Sequence, residues 1–192
     1  MHDDIVLDMT DLDHAIYVTW IAFWIFWLAL GTRSKAAAHT QRGGFLVIRI
    51  VIAVVVVSVI RSRTFRLHGA IVHDPLAQGV GTALFLAGLL LAIWARVHLG
   101  RNWGKPMSEK VDAELVTSGP YRYIRNPIYS GLILAMVGSS VAISPYCLVL
   151  VAIVAAYFVY SSLVEERIMS RLFPATYPHY RRSTKRLIPF VF

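Results

Sequence analysis

The chain has 192 residues, 57% of them hydrophobic and 16% charged, with a net charge of +8. A soluble domain is typically about 45–50% apolar and about 25% charged, so both departures point to lipid, and the length sets a single membrane domain, 1–192, as the expectation. The positive charge flanks apolar runs, which selects anionic lipid headgroups as the partner and excludes nucleic acid. A lone cysteine, Cys147, sits inside an apolar run and excludes both an internal disulfide and a cysteine-based zinc site.

The N-terminus carries five aspartates in thirteen residues, Asp3, Asp4, Asp8, Asp11 and Asp13, and no Lys or Arg. A secretory signal needs a positive n-region, so the first apolar run is read as a mature span. A membrane helix needs about 20 apolar residues, within about 17–25. Runs near this length occur at Ala15–Gly31, Phe45–Ile60, Leu76–Ala95, Pro127–Ile143 and Tyr146–Leu163. The second is rich in Val and Ile, yet an isolated strand cannot satisfy its backbone in lipid, so it too is expected to be a helix. Its Arg49 lies near the start and can snorkel. Ser144-Pro145 predicts a tight hairpin between the last two spans.

These runs predict an all-α membrane protein of about five transmembrane helices, with a polar loop 96–126 and a tail 164–192. Basic residues crowd the first loop (Arg33, Lys35, Arg42), the third loop and the tail. The positive-inside rule therefore sets those segments and the C-terminus in the cytoplasm, against the contrary vote of Arg61, Arg63 and Arg66. The expected location is a bacterial-type inner or plasma membrane.

The third loop is long for a helical bundle, where about 2–8 residues are usual. Ser118-Gly119-Pro120 is a turn signal, and Asn126-Pro127 is a helix start in which Asn caps and Pro takes the first position. The same pair has a second reading: a helix N-terminus presents free N–H groups and a positive dipole end to an anionic ligand group. Tyr121, Tyr123 and Tyr129 surround that end, either to stack on a ligand ring or to belt the interface. Glu165-Glu166 follows the fifth span directly. Carboxylates that near hydrocarbon are costly unless something offsets them. Either they form an interfacial pair balanced by Arg167 or Arg171, or they bind ligand. Gly79-Val-Gly81 lies inside an apolar run, not after a strand, and is no dinucleotide fingerprint. No Walker loop, nucleophile elbow or paired metal-spaced histidines occur, so no metal is expected.

The polar loop and tail together resemble the isoprenylcysteine carboxyl methyltransferase and phospholipid methyltransferase family. The pieces are Leu99-Gly-Arg-Asn-Trp103, Glu114-Leu-Val-Thr-Ser-Gly-Pro-Tyr121, Arg125-Asn-Pro-Ile-Tyr-Ser-Gly131, then Glu165-Glu166, Phe173, Tyr177, Tyr180 and Leu187-Ile-Pro189. The resemblance covers the C-terminal half. It implies an integral membrane methyltransferase that uses S-adenosylmethionine without a Rossmann domain and acts on a lipophilic acceptor, an isoprenylcysteine carboxylate or a lipid amine. It further implies that Met107, Leu115, Val116, Tyr121, Asn126, Pro127, Tyr129 and Glu165 hold the cofactor, with Glu165 and Glu166 as the catalytic candidates and Ser108 near the pocket's edge. Two positions depart from the pattern. Many members have His where this chain has Asn126, which cannot titrate near neutrality. Prenylcysteine enzymes have Arg about one turn before the first Glu, where this chain has Ser161. The alternatives are a nicotinamide-dependent reductase of the sterol type and a non-enzymatic scaffold.

Overall fold

In a computed structural model of the protein, residues 11–31, 37–40, 72, 74–102, 108–110 and 114–188 are described. The elements in chain order are α1 (Asp11–Gly31), β1 (Ala37–Thr40), α2 (Pro75–Leu99), β2 (Ser108–Lys110), α3 (Pro127–Ile143), α4 (Leu148–Leu172) and α5 (Tyr177–Ser183), with 3-10 turns at Gly100–Asn102, Gly119–Arg122 and Pro145–Cys147. Among the described helices, α1, α2 and α4 with its leading turn are long and apolar enough to cross a membrane, and α3 is a shorter apolar helix. The expected span 45–60 lies outside the described residues. The all-α architecture holds with one addition. β1 and β2 pair antiparallel, Ala37 with Lys110 and Thr40 with Ser108, with an irregularity between Ala37 and His39.

α1 turns Asp13, Ile16, Phe23 and Trp27 inward, at spacings of three, seven and four residues. Those intervals keep them on one helical stripe. The opposite face, with Ile21, Ile25 and Leu28, is exposed and just as apolar, as lipid requires. Trp20, on the same inward stripe, packs against Phe23 and Phe85 and donates from Nε1 to Ser139 Oγ at 3.1 Å. At the far end Arg96 donates to the Leu30 carbonyl at 2.8 Å and lies 5.8 Å from the centre of the Trp27 ring. Because Arg96 and Leu30 both belong to C-terminal turns, α1 and α2 run parallel.

α2 begins where Asp74 accepts the Ala77 amide at 2.9 Å and Pro75 takes the first turn. α3 returns antiparallel along it through a seam with almost no side chains. A Cβ added to Gly138 would lie 2.2 Å from the Phe85 nitrogen, and one added to Gly88 would lie 2.3 Å from the Ala135 nitrogen. Gly81 and Gly131 make the same approach at 2.4 Å from Ala142 and 2.7 Å from Ala92. Small residues at four- and three-residue intervals let two backbones touch, the packing that holds helices together where lipid is as apolar as leucine.

The Val72 amide donates to the Ile143 carbonyl at 2.8 Å, at the end of α3 remote from the polar loop. Thr40 pairs with Ser108, in the polar segment that follows α2. The hairpin after Ile143 is the expected one: Pro145–Cys147 forms a single 3-10 turn, with the Cys147 amide on the Ser144 carbonyl at 3.0 Å. Two boundaries shift. α2 runs on to Leu99, so Arg96 is a buried helical residue and not the first residue of a loop. α4 outruns its apolar stretch by about two turns, which puts Glu165 and Glu166 on a helix.

Candidate functional site

The site is assembled where the start of α3, the end of α4 and the tail meet. Ser118-Gly119-Pro120 makes the predicted turn. Gly119 has φ +58°, and a Cβ there would meet the His98 ring at 2.8 Å, so this position needs glycine twice over. His98 Nε2 lies 2.8 Å from Ser118 Oγ, which ties the turn to the last turn of α2. The 3-10 turn then drives Tyr121 inward. Tyr121 is buried, stacks beside His98 with ring centres 6.5 Å apart, and donates to the Ala95 carbonyl at 3.4 Å. Burial, reinforced by the Glu165 charge, pushes its phenol far above the ordinary tyrosine range, so Tyr121 stays a neutral donor. Tyr123, by contrast, is exposed and takes no part in the interior.

Pro127 occupies the first position of α3 as the sequence predicts. Asn126 does not act as predicted: its side chain makes no capping bond. The Asn126 carbonyl still receives the Ser130 amide at 3.1 Å, but Nδ2 turns away and donates to the Arg186 carbonyl at 3.2 Å. The Asn126 amide donates to the same carbonyl at 3.1 Å. The tail lies within reach of the amide side chain, and the Arg186 carbonyl, with two lone pairs, accepts both Asn126 donors.

The tail lies along the loop. Arg125 N donates to the Lys185 carbonyl at 2.8 Å, Lys185 N to the Tyr123 carbonyl at 3.4 Å, and Ser130 Oγ to the Leu187 carbonyl at 2.5 Å. From α5, the Tyr180 hydroxyl donates to the Tyr121 carbonyl at 2.7 Å. Burial raises the Tyr180 phenol, and burial together with the Glu166 charge pushes Tyr177 up to about 12. Both are donors and not bases at ordinary pH.

The two glutamates at the end of α4 part company. Glu165 Oε1 accepts the Tyr129 hydroxyl at 2.5 Å, a short charge-assisted bond. The Tyr129 ring is itself held flat against Phe158, with centres 4.7 Å apart at 14°. The sequence-predicted pair Tyr129 and Glu165 are thus brought together from two helices. Glu166 is buried among guanidinium groups. Arg125 Nε and Nη2 reach Oε1 at 3.0 and 2.9 Å, and Arg186 reaches both oxygens at 2.8 and 3.1 Å. Arg181, mostly exposed, approaches at 3.7 Å. The expectation that Arg167 or Arg171 balances this carboxylate is corrected: both are exposed, on the outer face of α4. A carboxylate accepting four charge-assisted bonds is a poor proton acceptor, and Glu166 is better described as a clasp.

Leu115 and Val116 lie half-buried just before the Ser118 turn. Met107 lies outside the described residues, and Ser108 is known by its backbone in β2. Arg125 and Arg186 are the residues that sequence reasoning missed. Their one signal was arithmetic: two acids among the many cations of the loop and tail must draw some of those cations inward. Among the described residues no group of three or more His, Cys, Asp or Glu is arranged to hold a metal ion.

A model of the phospholipid methyltransferase family matches residues 76–176, from the first turn of α2 to the threshold of α5. That stretch contains the seam, the loop turn, Asn126, Tyr129 and both glutamates. A comparison with curated proteins returns no match.

Proposed function

The chain belongs to the phospholipid methyltransferase family, and from that premise we propose that it moves a methyl group from S-adenosylmethionine to a lipophilic acceptor at the polar end of the bundle. The observation that carries this reading is the meeting of Tyr129 and Glu165 at 2.5 Å, at the mouth formed by the start of α3 and the end of α4. The donor set suits such a cofactor. Glu165 offers an anionic acceptor for ribose hydroxyls or an ammonium group. The start of α3 offers backbone N–H groups and a positive dipole end to a carboxylate, with Asn126 and Pro127 fixing that end. Leu115, Val116 and Tyr121 supply apolar and aromatic surface for a purine, and Met107 is assigned to the same wall by resemblance.

Bound there, S-adenosylmethionine would supply an already activated methyl group, which leaves orientation and exclusion of water to the protein. Tyr129 holds Glu165 in one orientation, and Phe158 holds Tyr129. A carboxylate acceptor needs no base, whereas an amine acceptor must arrive neutral. Glu165 is then the carboxylate with capacity to take a proton, because Glu166 is committed to arginines. The acceptor enters sideways from lipid, and the loop and tail face the cytoplasm of a bacterial-type inner or plasma membrane.

The test is transfer of label from methyl-labelled cofactor into a lipid extract, with the product identified. Calorimetry accompanies it. Heat with S-adenosylhomocysteine and none with NADPH is the expected result. The reverse would replace methyl transfer by reduction, and no heat with either would leave a scaffold.

A further inference from the structure

We infer that Glu166 is a positioning residue, which clasps the tail segment Thr184–Leu187 across the start of α3 and so fixes Tyr129 against Glu165. This rests on the methyltransferase reading of the site and deepens it. Successive residues on an α-helix point about 100° apart, so adjacent glutamates cannot face one spot. Here Glu165 faces Tyr129, and Glu166 faces the tail.

The clasp is continuous. Glu166 holds Arg186 through both carboxylate oxygens. The Arg186 carbonyl receives the amide and the side chain of Asn126, which sets the first residue before α3. Glu166 also holds Arg125, whose Nη1 donates onward to the Arg181 carbonyl at 3.0 Å and to the Thr184 carbonyl. One turn into α3, Ser130 reaches the Leu187 carbonyl beside Tyr129. A series of polar attachments thus runs from one buried carboxylate to Asn126 and, through the tail backbone, to Ser130, the residues of α3's start that flank Tyr129. Without that charge, two partly buried guanidinium groups lose their anion, and both ion-paired attachments of the tail loosen at once, leaving its backbone hydrogen bonds to hold it.

The test uses the full chain in nanodiscs, with Glu166→Gln compared to Arg186→Met and Arg186→Lys. The Michaelis constant for S-adenosylmethionine is expected to rise about tenfold in Glu166→Gln and Arg186→Met, with saturated turnover within about threefold of the parent. Arg186→Lys recovers part of the loss. The pH profile keeps its shape, because no titrating group of the reaction has gone. Trypsin cuts after Arg181 and Arg182, both exposed, faster in the variants than in the parent. Should Glu166→Gln fail to fold, Arg186→Lys and Arg186→Met carry the comparison. A fall in turnover at unchanged Michaelis constant, with one limb of the pH profile lost, would put Glu166 in the reaction and overturn the inference. Unchanged tryptic cleavage together with an unchanged Michaelis constant would also overturn it. If the parent neither binds S-adenosylhomocysteine nor transfers methyl, the proposed function fails, while tryptic cleavage still decides whether Glu166 fastens the tail.

Discussion

The seam between α2 and α3 and the clasp around Glu166 both fix the position of α3, by opposite means. In the seam, stability comes from what is missing: glycines at 81, 88, 131 and 138 leave two backbones in contact, and a single added carbon has nowhere to go. In the clasp, long side chains from three segments converge on one carboxylate, and each has slack in its own stem. The first arrangement is intolerant of addition and the second of deletion. The rigid seam fixes where α3 starts, and the adjustable clasp fixes what lies over that start.

The largest expected effect is at the seam. Gly138→Val drives a branched side chain into the Phe85 backbone and should remove the folded protein, a loss above about 3 kcal/mol, read as monodisperse yield and thermal midpoint in detergent. Normal yield would mean that the helices separate without penalty. Next comes Arg125→Met. It leaves Glu166 relying on Arg186 for close contact and should cost about 2–3 kcal/mol, with tryptic cleavage of the tail appearing before the bundle melts. Simultaneous melting of both would show that seam and clasp are one unit.

Tyr129→Phe removes the hydroxyl from Glu165 while keeping the ring on Phe158. Methyl transfer should fall about 10- to 100-fold, the worth of a hydrogen bond to a charged group, with a midpoint close to the parent's. Full activity would dismiss the Tyr129–Glu165 contact as incidental. A gentler probe is alkali. Tyr177 keeps its proton to about 12, whereas an unfolded tyrosine loses it near 10. Its contribution to tail stability is therefore complete below about pH 10 and lost as pH rises through about 12. Tyrosinate absorbance should show late-ionising tyrosines, Tyr121, Tyr177 and Tyr180, of which Tyr177 and Tyr180 normalise when the tail is released. The smallest effect is Gly79→Ala. A Cβ there meets nothing within 4 Å, so better helix propensity should stabilise α2 by about 1 kcal/mol or less, in contrast to Gly81 two residues on.

Much of the fold could be read from the sequence because lipid imposes one rule, a run of apolar residues long enough to cross. The α3 limits, Pro127 and Ile143, agree residue for residue, since Pro opens the helix and Ser144-Pro145 closes it. The same rule misjudged α4, because hydropathy ends at Leu163 while backbone hydrogen bonding continues to Leu172. The β1–β2 ribbon was invisible: it pairs segments about seventy residues apart, and neither alternates like a strand. At the site, the encounter of α3 and α4 followed from the short hairpin between them. What could not be read was direction. Asn126 has the residue type of a cap, yet it bonds the tail, and nothing local announces that the tail will pass there. Likewise two neighbouring glutamates look alike in sequence, and only the step of about 100° between them assigns one to Tyr129 and the other to arginine.

The passage of Lys185–Leu187 across the start of α3 has a consequence for biosynthesis. The seam can close as soon as Ile143 has left the ribosome, but the strap arrives only after Leu187 has been made, at about 5–20 residues per second. A nascent chain that extends past Ile143 but not to Leu187 carries a finished helical pair and an open mouth. Insertion and site assembly are therefore separate events in time, and a stalled or clipped chain would accumulate as a well-folded bundle with its reaction face undone.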